Sequence, residues 1–209
     1  MTQRTWDRIE QARERWNVLR HPFYRRWSAG ELSRDELARY SGQYRHAVEA
    51  IAGLSQAAAD AAPERPELRQ HAVEERDHVA LWDGFVESAG GRAADAPTPE
   101  TAECVRAWSD SGAPHAGGDD LLVRLVKLYA IESGQPDISR IKRQGLVDCY
   151  GFADGPGTAY FRLHEQRDTE HAAQARELIE ELASRDDEDE LVAGAETVLR
   201  ANWRLLDGV

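Results

Sequence analysis

From Trp6 to Leu206, apolar side chains recur three and four residues apart between proline and glycine stops, and no segment alternates polar and apolar residues as a half-buried strand would. A chain patterned this way can bury its apolar stripes only by packing helix on helix. The pattern predicts an all-α fold, a bundle of seven or eight helices forming a single domain over residues 1–209. Trp6, Ile9, Ala12, Trp16 and Leu19 mark a first amphipathic helix that stops near His21-Pro22, because the residue before a proline disfavours helix. Ser33-Arg34-Asp35-Glu36 reads as a capping box that opens a long helix to about Ala62, with Leu37, Tyr40, Tyr44, Ala47, Ile51 and Leu54 on one stripe. A third helix runs from Pro66 to Ala89 and ends on Gly90-Gly91.

A short helix follows from Thr98-Pro99-Glu100 to about Trp108, then a polar connection over Ser109 to Gly118. Asp119 or Asp120 caps the next helix, which is apolar on more than one side through Leu121, Leu122, Leu125, Val126 and Leu128; such a helix belongs mid-bundle. Three more helices are expected at about 137–150, 158–182 and 191–206.

Composition narrows the function classes. Acidic residues outnumber basic ones 38 to 26, a formal charge of −12, which repels nucleic-acid backbones and anionic lipid surfaces. Much of the excess lies in Asp186-Asp187-Glu188-Asp189-Glu190, read as a solvated turn and helix start. No stretch approaches the roughly 20 apolar residues that span a bilayer, and Met1-Thr2-Gln3-Arg4 leads straight into charged residues without a secretory apolar segment. The expectation is a cytoplasmic protein with neither nucleic-acid nor membrane partners. Cys104 and Cys149 form no spacing motif, so a disulfide framework is not expected.

The chemistry-bearing residues fall on three helices. His164, Asp168 and His171 stand at i, i+4 and i+7 and so share one helical face, where two imidazoles and a carboxylate can bind a transition metal. Alone, such a triplet describes a solvated helix face equally well. Glu75-x2-His78 repeats the carboxylate-x2-His spacing of Asp168-x2-His171, and pairs of that kind from two helices are the pattern of dinuclear iron and manganese bundles. Glu74, four residues before His78, is the alternative to Glu75. Glu132 supplies a carboxylate from a third helix, beside an apolar run where an unpaired charge would be costly. The expected site is therefore Glu75, His78, Glu132, His164, Asp168 and His171.

The segments His21-Pro22-Phe23-Tyr24-x2-Trp27, Tyr40-x3-Tyr44, Leu128-Tyr129-Ala130-Ile131-Glu132-Ser133, Lys142-x2-Gly145-Leu146, Tyr150-Gly151 and Tyr160-Phe161-x2-His164-x3-Asp168-x2-His171 resemble the TenA/PqqC superfamily with its haem-oxygenase-like fold. Within it they resemble the di-metal oxidases and oxygenases, from about Trp16 to Leu182. The resemblance implies two iron ions cycling between Fe(II) and Fe(III), with manganese admitted at one position, and dioxygen as co-substrate. It implies an oxidoreductase acting on a small amine-, amino-acid- or acid-type metabolite. Similarity to the p-aminobenzoate-forming branch, whose members consume their own tyrosine, would carry the sacrificed-tyrosine role to Tyr24 and the amine-donor role to Lys142. Two departures from that branch stand out: Glu75-x2-His78 is compact, as in the family's fatty-acid decarboxylases and N-oxygenases, and Ile131 replaces a tyrosine before Glu132. Metal-free members offer a third reading, with Cys149 as a nucleophile. Trp27, Tyr40, Tyr44 and Tyr129, with Tyr24, are expected to line a substrate cavity. The partners expected are a small-molecule substrate, an external electron donor and a second copy in a homodimer.

Overall fold

Each segment with helical punctuation is a helix in the computed structural model, which describes residues 1–109, 120–185 and 187–209. In chain order these are α1 (Gln3–Arg15), α2 (Pro22–Ala29), α3 (Arg34–Ala61), α4 (Pro66–Ala89), α5 (Pro99–Ser109), α6 (Asp120–Glu132), α7 (Gln135–Tyr150), α8 (Pro156–Leu182) and α9 (Glu188–Leu205). The described residues hold no strand, so the all-α reading stands. Most of the expected connection at 109–118, the cap at Asp119 and Asp186 of the acidic run lie outside the described residues.

The local rules operate as the sequence suggests in α3 and α4. Ser33 Oγ accepts the Glu36 N–H at 3.2 Å, while Glu36 Oε2 accepts the Ser33 N–H at 2.8 Å, completing the capping box. Pro66 sits in the first turn of α4, and Gly90 ends that helix in the left-handed conformation (φ 73°) that a side chain would disfavour.

The first helix differs from expectation. α1 ends at Arg15, Trp16 caps it, and Asn17 starts a 3-10 turn over Val18–Arg20 by accepting the Leu19 N–H. The stop at His21-Pro22 is also a start: Pro22 has no N–H to lose at the first helical position, and His21 Nδ1 accepts the Phe23 N–H at 3.1 Å, opening α2.

Packing places α4 against α3 and α8, with α6 and α7 also on α8, and α9 across α1, α5 and α6. The core is aromatic, and its indoles are anchored to helix carbonyls. Trp27 donates to Lys142 O (3.1 Å), Trp82 to Ser41 O (2.8 Å) and Trp108 to Val198 O (3.1 Å). Trp27 reaches α7 only because Gly145 lacks a Cβ, which would lie 2.7 Å from the indole. No helix among the described residues is long and apolar enough to cross a membrane.

Candidate metal centre

On α4, His71, Glu75 and His78 occupy one face at i, i+4 and i+7, the same spacing that His164, Asp168 and His171 take on α8. Glu132, the last residue of α6, completes the cluster. All seven side chains are buried. Their donor atoms form two triplets that share Glu75. His71, Glu75 and His171 make one, Glu75, His78 and His164 the other, with the atoms of each within 4.8 Å of one another. Glu132 Oε1 stands 3.0 Å from His71 Nε2, and Asp168 lies against His164. The six residues expected from sequence thus come together, and His71 joins them. Its signal was present in the sequence: His71-x3-Glu75-x2-His78 copies the spacing of the α8 motif, His for His and carboxylate for carboxylate.

Glu75, rather than Glu74, is central. Its Oε1 is 3.0 Å from His78 Nδ1, 3.7 Å from His71 Nε2 and 4.0 Å from His171 Nδ1. Glu74 sits outside, its Oε2 3.0 Å from His171 Nε2, which leaves Nδ1 of that ring facing inward. A carboxylate behind an imidazole in this way fixes the ring and raises its basicity toward a metal. Asp168 faces the cluster itself: its oxygens approach His164 Nδ1 at 2.8 and 2.9 Å, leaving Nε2 free, and its Oδ1 lies 4.0 Å from His171 Nδ1.

Whether these residues suit a cation is decided by what their atoms lack. His71 Nε2, His78 Nδ1, His164 Nε2, His171 Nδ1, Glu75 Oε1 and both Glu132 oxygens are buried without a hydrogen-bond partner, several being near an opposite charge but misaligned for a bond. Each such orphan costs about 1–3 kcal/mol. A cation among them satisfies all at once, and nitrogen plus carboxylate oxygen is a donor set for iron or manganese. The electrostatics agree. Burial pulls His71 toward neutrality, but Glu132 and Glu75 outweigh it and lift its pKa to about 11. Burial would raise the Glu75 carboxyl, yet His71 and His78 hold it well below the usual range. Burial raises the Glu132 carboxyl, with Glu75 and Asp168 adding repulsion that His71 only partly offsets. Four imidazoles and three carboxylates already compete for positive charge here.

Beside this cluster lies a closed aromatic shell. Tyr24, Trp27, Tyr40 and Tyr44 are buried and stack edge-on or tilted against one another, with centroids 5.3–6.0 Å apart. The expected cavity walls are therefore a packed core. Tyr24 and Tyr40 share a 2.6 Å hydroxyl–hydroxyl bond. Lys142 Nζ points into the shell, 4.5 Å from the centre of the Tyr44 ring, 5.1 Å from Tyr24 and 5.6–5.8 Å from Tyr40, Trp82 and Phe161. Burial pushes the lysine down to about 7. Contacts continue from Tyr40 to Trp82 (6.0 Å), to Tyr160 (4.8 Å) and to His164 (4.1 Å).

Tyr129 is a correction. It packs on Trp6 at 5.0 Å and donates to Glu10 Oε1 at 3.1 Å, facing α1 rather than the shell. Cys149 is exposed and packs against Gly30, whereas Cys104 is buried.

The comparisons bear on this geometry. The chain is 30% identical to a 4-aminobenzoate synthase of Chlamydia muridarum, over 96% of this chain and 88% of that protein. It is also 30% identical to a 4-aminobenzoate synthase of Nitrosomonas europaea, over 97% and 88%. A TenA homologue from Pseudomonas syringae has the same fold, with a TM-score of 0.79 at 20% identity over 98% of this chain and 90% of that one. A CADD-like protein of unknown function from Nostoc punctiforme gives 0.77 at 17% identity, over 98% and 95%. Residues 67–203, which carry all seven clustered side chains, match the family pattern, and the chain belongs to the haem-oxygenase-like family of iron-containing redox enzymes.

Proposed function

We propose that this iron-containing redox enzyme is a dinuclear non-haem iron oxidase that forms 4-aminobenzoate, with its own Tyr24 as the source of the ring and Lys142 as the source of the amine. The relatives named 4-aminobenzoate synthase align with nearly the whole chain and support the product. The observation that carries the reading is the buried Lys142 amine set 5.1 Å from the centre of the Tyr24 ring, in a closed shell that reaches the histidine–carboxylate cluster.

Glu75, His78, Glu132, His164, Asp168 and His171 would hold the iron. Bound there, ferrous ions supply electrons for the reduction of dioxygen, the co-substrate. The protein's own residues do the rest. Burial keeps Tyr24 a phenol, and Tyr40 fixes its hydroxyl and can exchange a proton with Tyr24 Oη along their 2.6 Å bond. With its pKa near 7, Lys142 has a substantial free-base fraction at neutral pH, as an amine donor needs. The stack Tyr24–Tyr40–Trp82–Tyr160–His164 offers oxidisable rings in contact from the cluster to the reacting phenol.

Oxidation of a separate small amine-, amino-acid- or acid-type metabolite is the second reading. It draws on a small pocket beside the cluster, lined by His71, His171, Leu125, Leu128 and Leu178. Iron loading without oxygen, followed by oxygen exposure and mass spectrometry of chain and filtrate, separates the two. Self-consumption is expected to yield 4-aminobenzoate without added substrate, mass changes confined to Tyr24 and Lys142, and no product from Tyr24→Phe. An intact chain, or product from Tyr24→Phe, overturns the proposal.

A further inference from the structure

We infer that His71 is itself a metal ligand, a seventh donor beyond the six expected, so that each of two ions is held by one imidazole from α4 and one from α8. The inference rests on the dinuclear reading above and deepens it. His71 faces His171 with ring centres 4.3 Å apart, and His78 faces His164 at 4.5 Å. The pairs run in opposite order along the two helices, the first histidine of one triplet meeting the last of the other, as two helices lying antiparallel require. Glu75 belongs to both triplets and stands between them. Glu132 then joins the His71 side and Asp168 the His164 side.

The plainer role for His71 is a buried ion pair with Glu132. The geometry argues against it as the whole story. His71 Nε2 lies 3.0 Å from Glu132 Oε1 and 3.7 Å from Glu75 Oε1, yet is aligned with neither for a hydrogen bond, and both Glu132 oxygens also go unpartnered. Atoms drawn together but aimed at a common point rather than at each other are placed for a cation. His171 Nδ1, unpartnered on the facing ring while Glu74 holds its other nitrogen, is directed into the same space. The His71–His171 position also borders a small pocket lined by Leu125, Leu128 and Leu178.

Anaerobic titration with Co(II) tests this, using absorption to follow ligand field and stoichiometry. The wild type is expected to bind two ions. His71→Ala should keep one at unchanged affinity and bind the second at least about 10-fold more weakly, since even partners behind a ligand are worth that much. His71→Cys places a thiolate where the imidazole was, and should add a thiolate-to-cobalt charge-transfer band absent from the wild type, whose Cys104 and Cys149 lie outside the cluster. If His71→Ala fails to fold, the band in His71→Cys decides. Two ions at wild-type affinity and ligand field in His71→Ala, or no band in His71→Cys, overturn the assignment while leaving the dinuclear reading intact. A wild type that binds no cobalt pair overturns both.

Discussion

Replacing Lys142 by methionine is expected to stabilise the protein while abolishing product formation. The side chains are similar in length, so the aromatic shell stays filled. What changes is the cost of an amine held away from water. Burial lowers the lysine from 10.5 to about 7, and that displacement is worth about 5 kcal/mol at 1.36 kcal/mol per pH unit. Set against the 5–15 kcal/mol of a typical domain, such a cost is large. Its pH dependence is the diagnostic. Between about pH 7 and pH 10.5 the unfolded lysine carries a proton that the folded one does not, so wild-type stability rises with pH across that window. The advantage of Lys142→Met should therefore be complete below pH 7 and fade by pH 10.5. Urea unfolding of chelator-treated protein at pH 6, 8 and 10 measures it. A variant less stable than wild type at pH 6, or a gap that does not change with pH, refutes the picture of an uncharged lysine kept at the expense of stability.

Two other substitutions probe the scaffold. Glu74→Gln leaves His171 its ligand nitrogen but removes the carboxylate behind it, so metal affinity should fall about 10–100-fold with the two-ion capacity preserved, as read by competition with a chelator dye. Gly145→Ala puts a methyl 2.7 Å from the Trp27 indole and should destabilise the fold by about 1–3 kcal/mol in the same urea assay.

Much of the bundle was legible from local chemistry. The α4 bounds and the capping box of α3 follow from proline, glycine, serine and glutamate alone. α2 was not read, because a proline that stops one helix also suits the first position of the next, and only the His21 side chain, capping Phe23, shows which applies. The six expected site residues come together because their spacing fixes a helical face. His71 lies outside the i, i+3 pair Glu75-x2-His78, and only the full i, i+4, i+7 repeat on α4 includes it. Tyr129 could not be placed, since α6 is apolar on more than one side and its sequence does not say which neighbour each face meets; Trp6 and Glu10 supply that answer. Nor could the sequence distinguish cavity walls from packed core, because Tyr24, Trp27, Tyr40 and Tyr44 have the same helical spacing in either case.

The central claim, that one buried cluster holds two iron ions around a shared Glu75, is tested most directly by counting ferrous ions. Titrated anaerobically, the wild type should bind two per chain, and Glu75→Ala should lose both while its far-ultraviolet circular dichroism stays helical. A wild type that binds one ion or none, or a Glu75→Ala chain that still binds two, would contradict it.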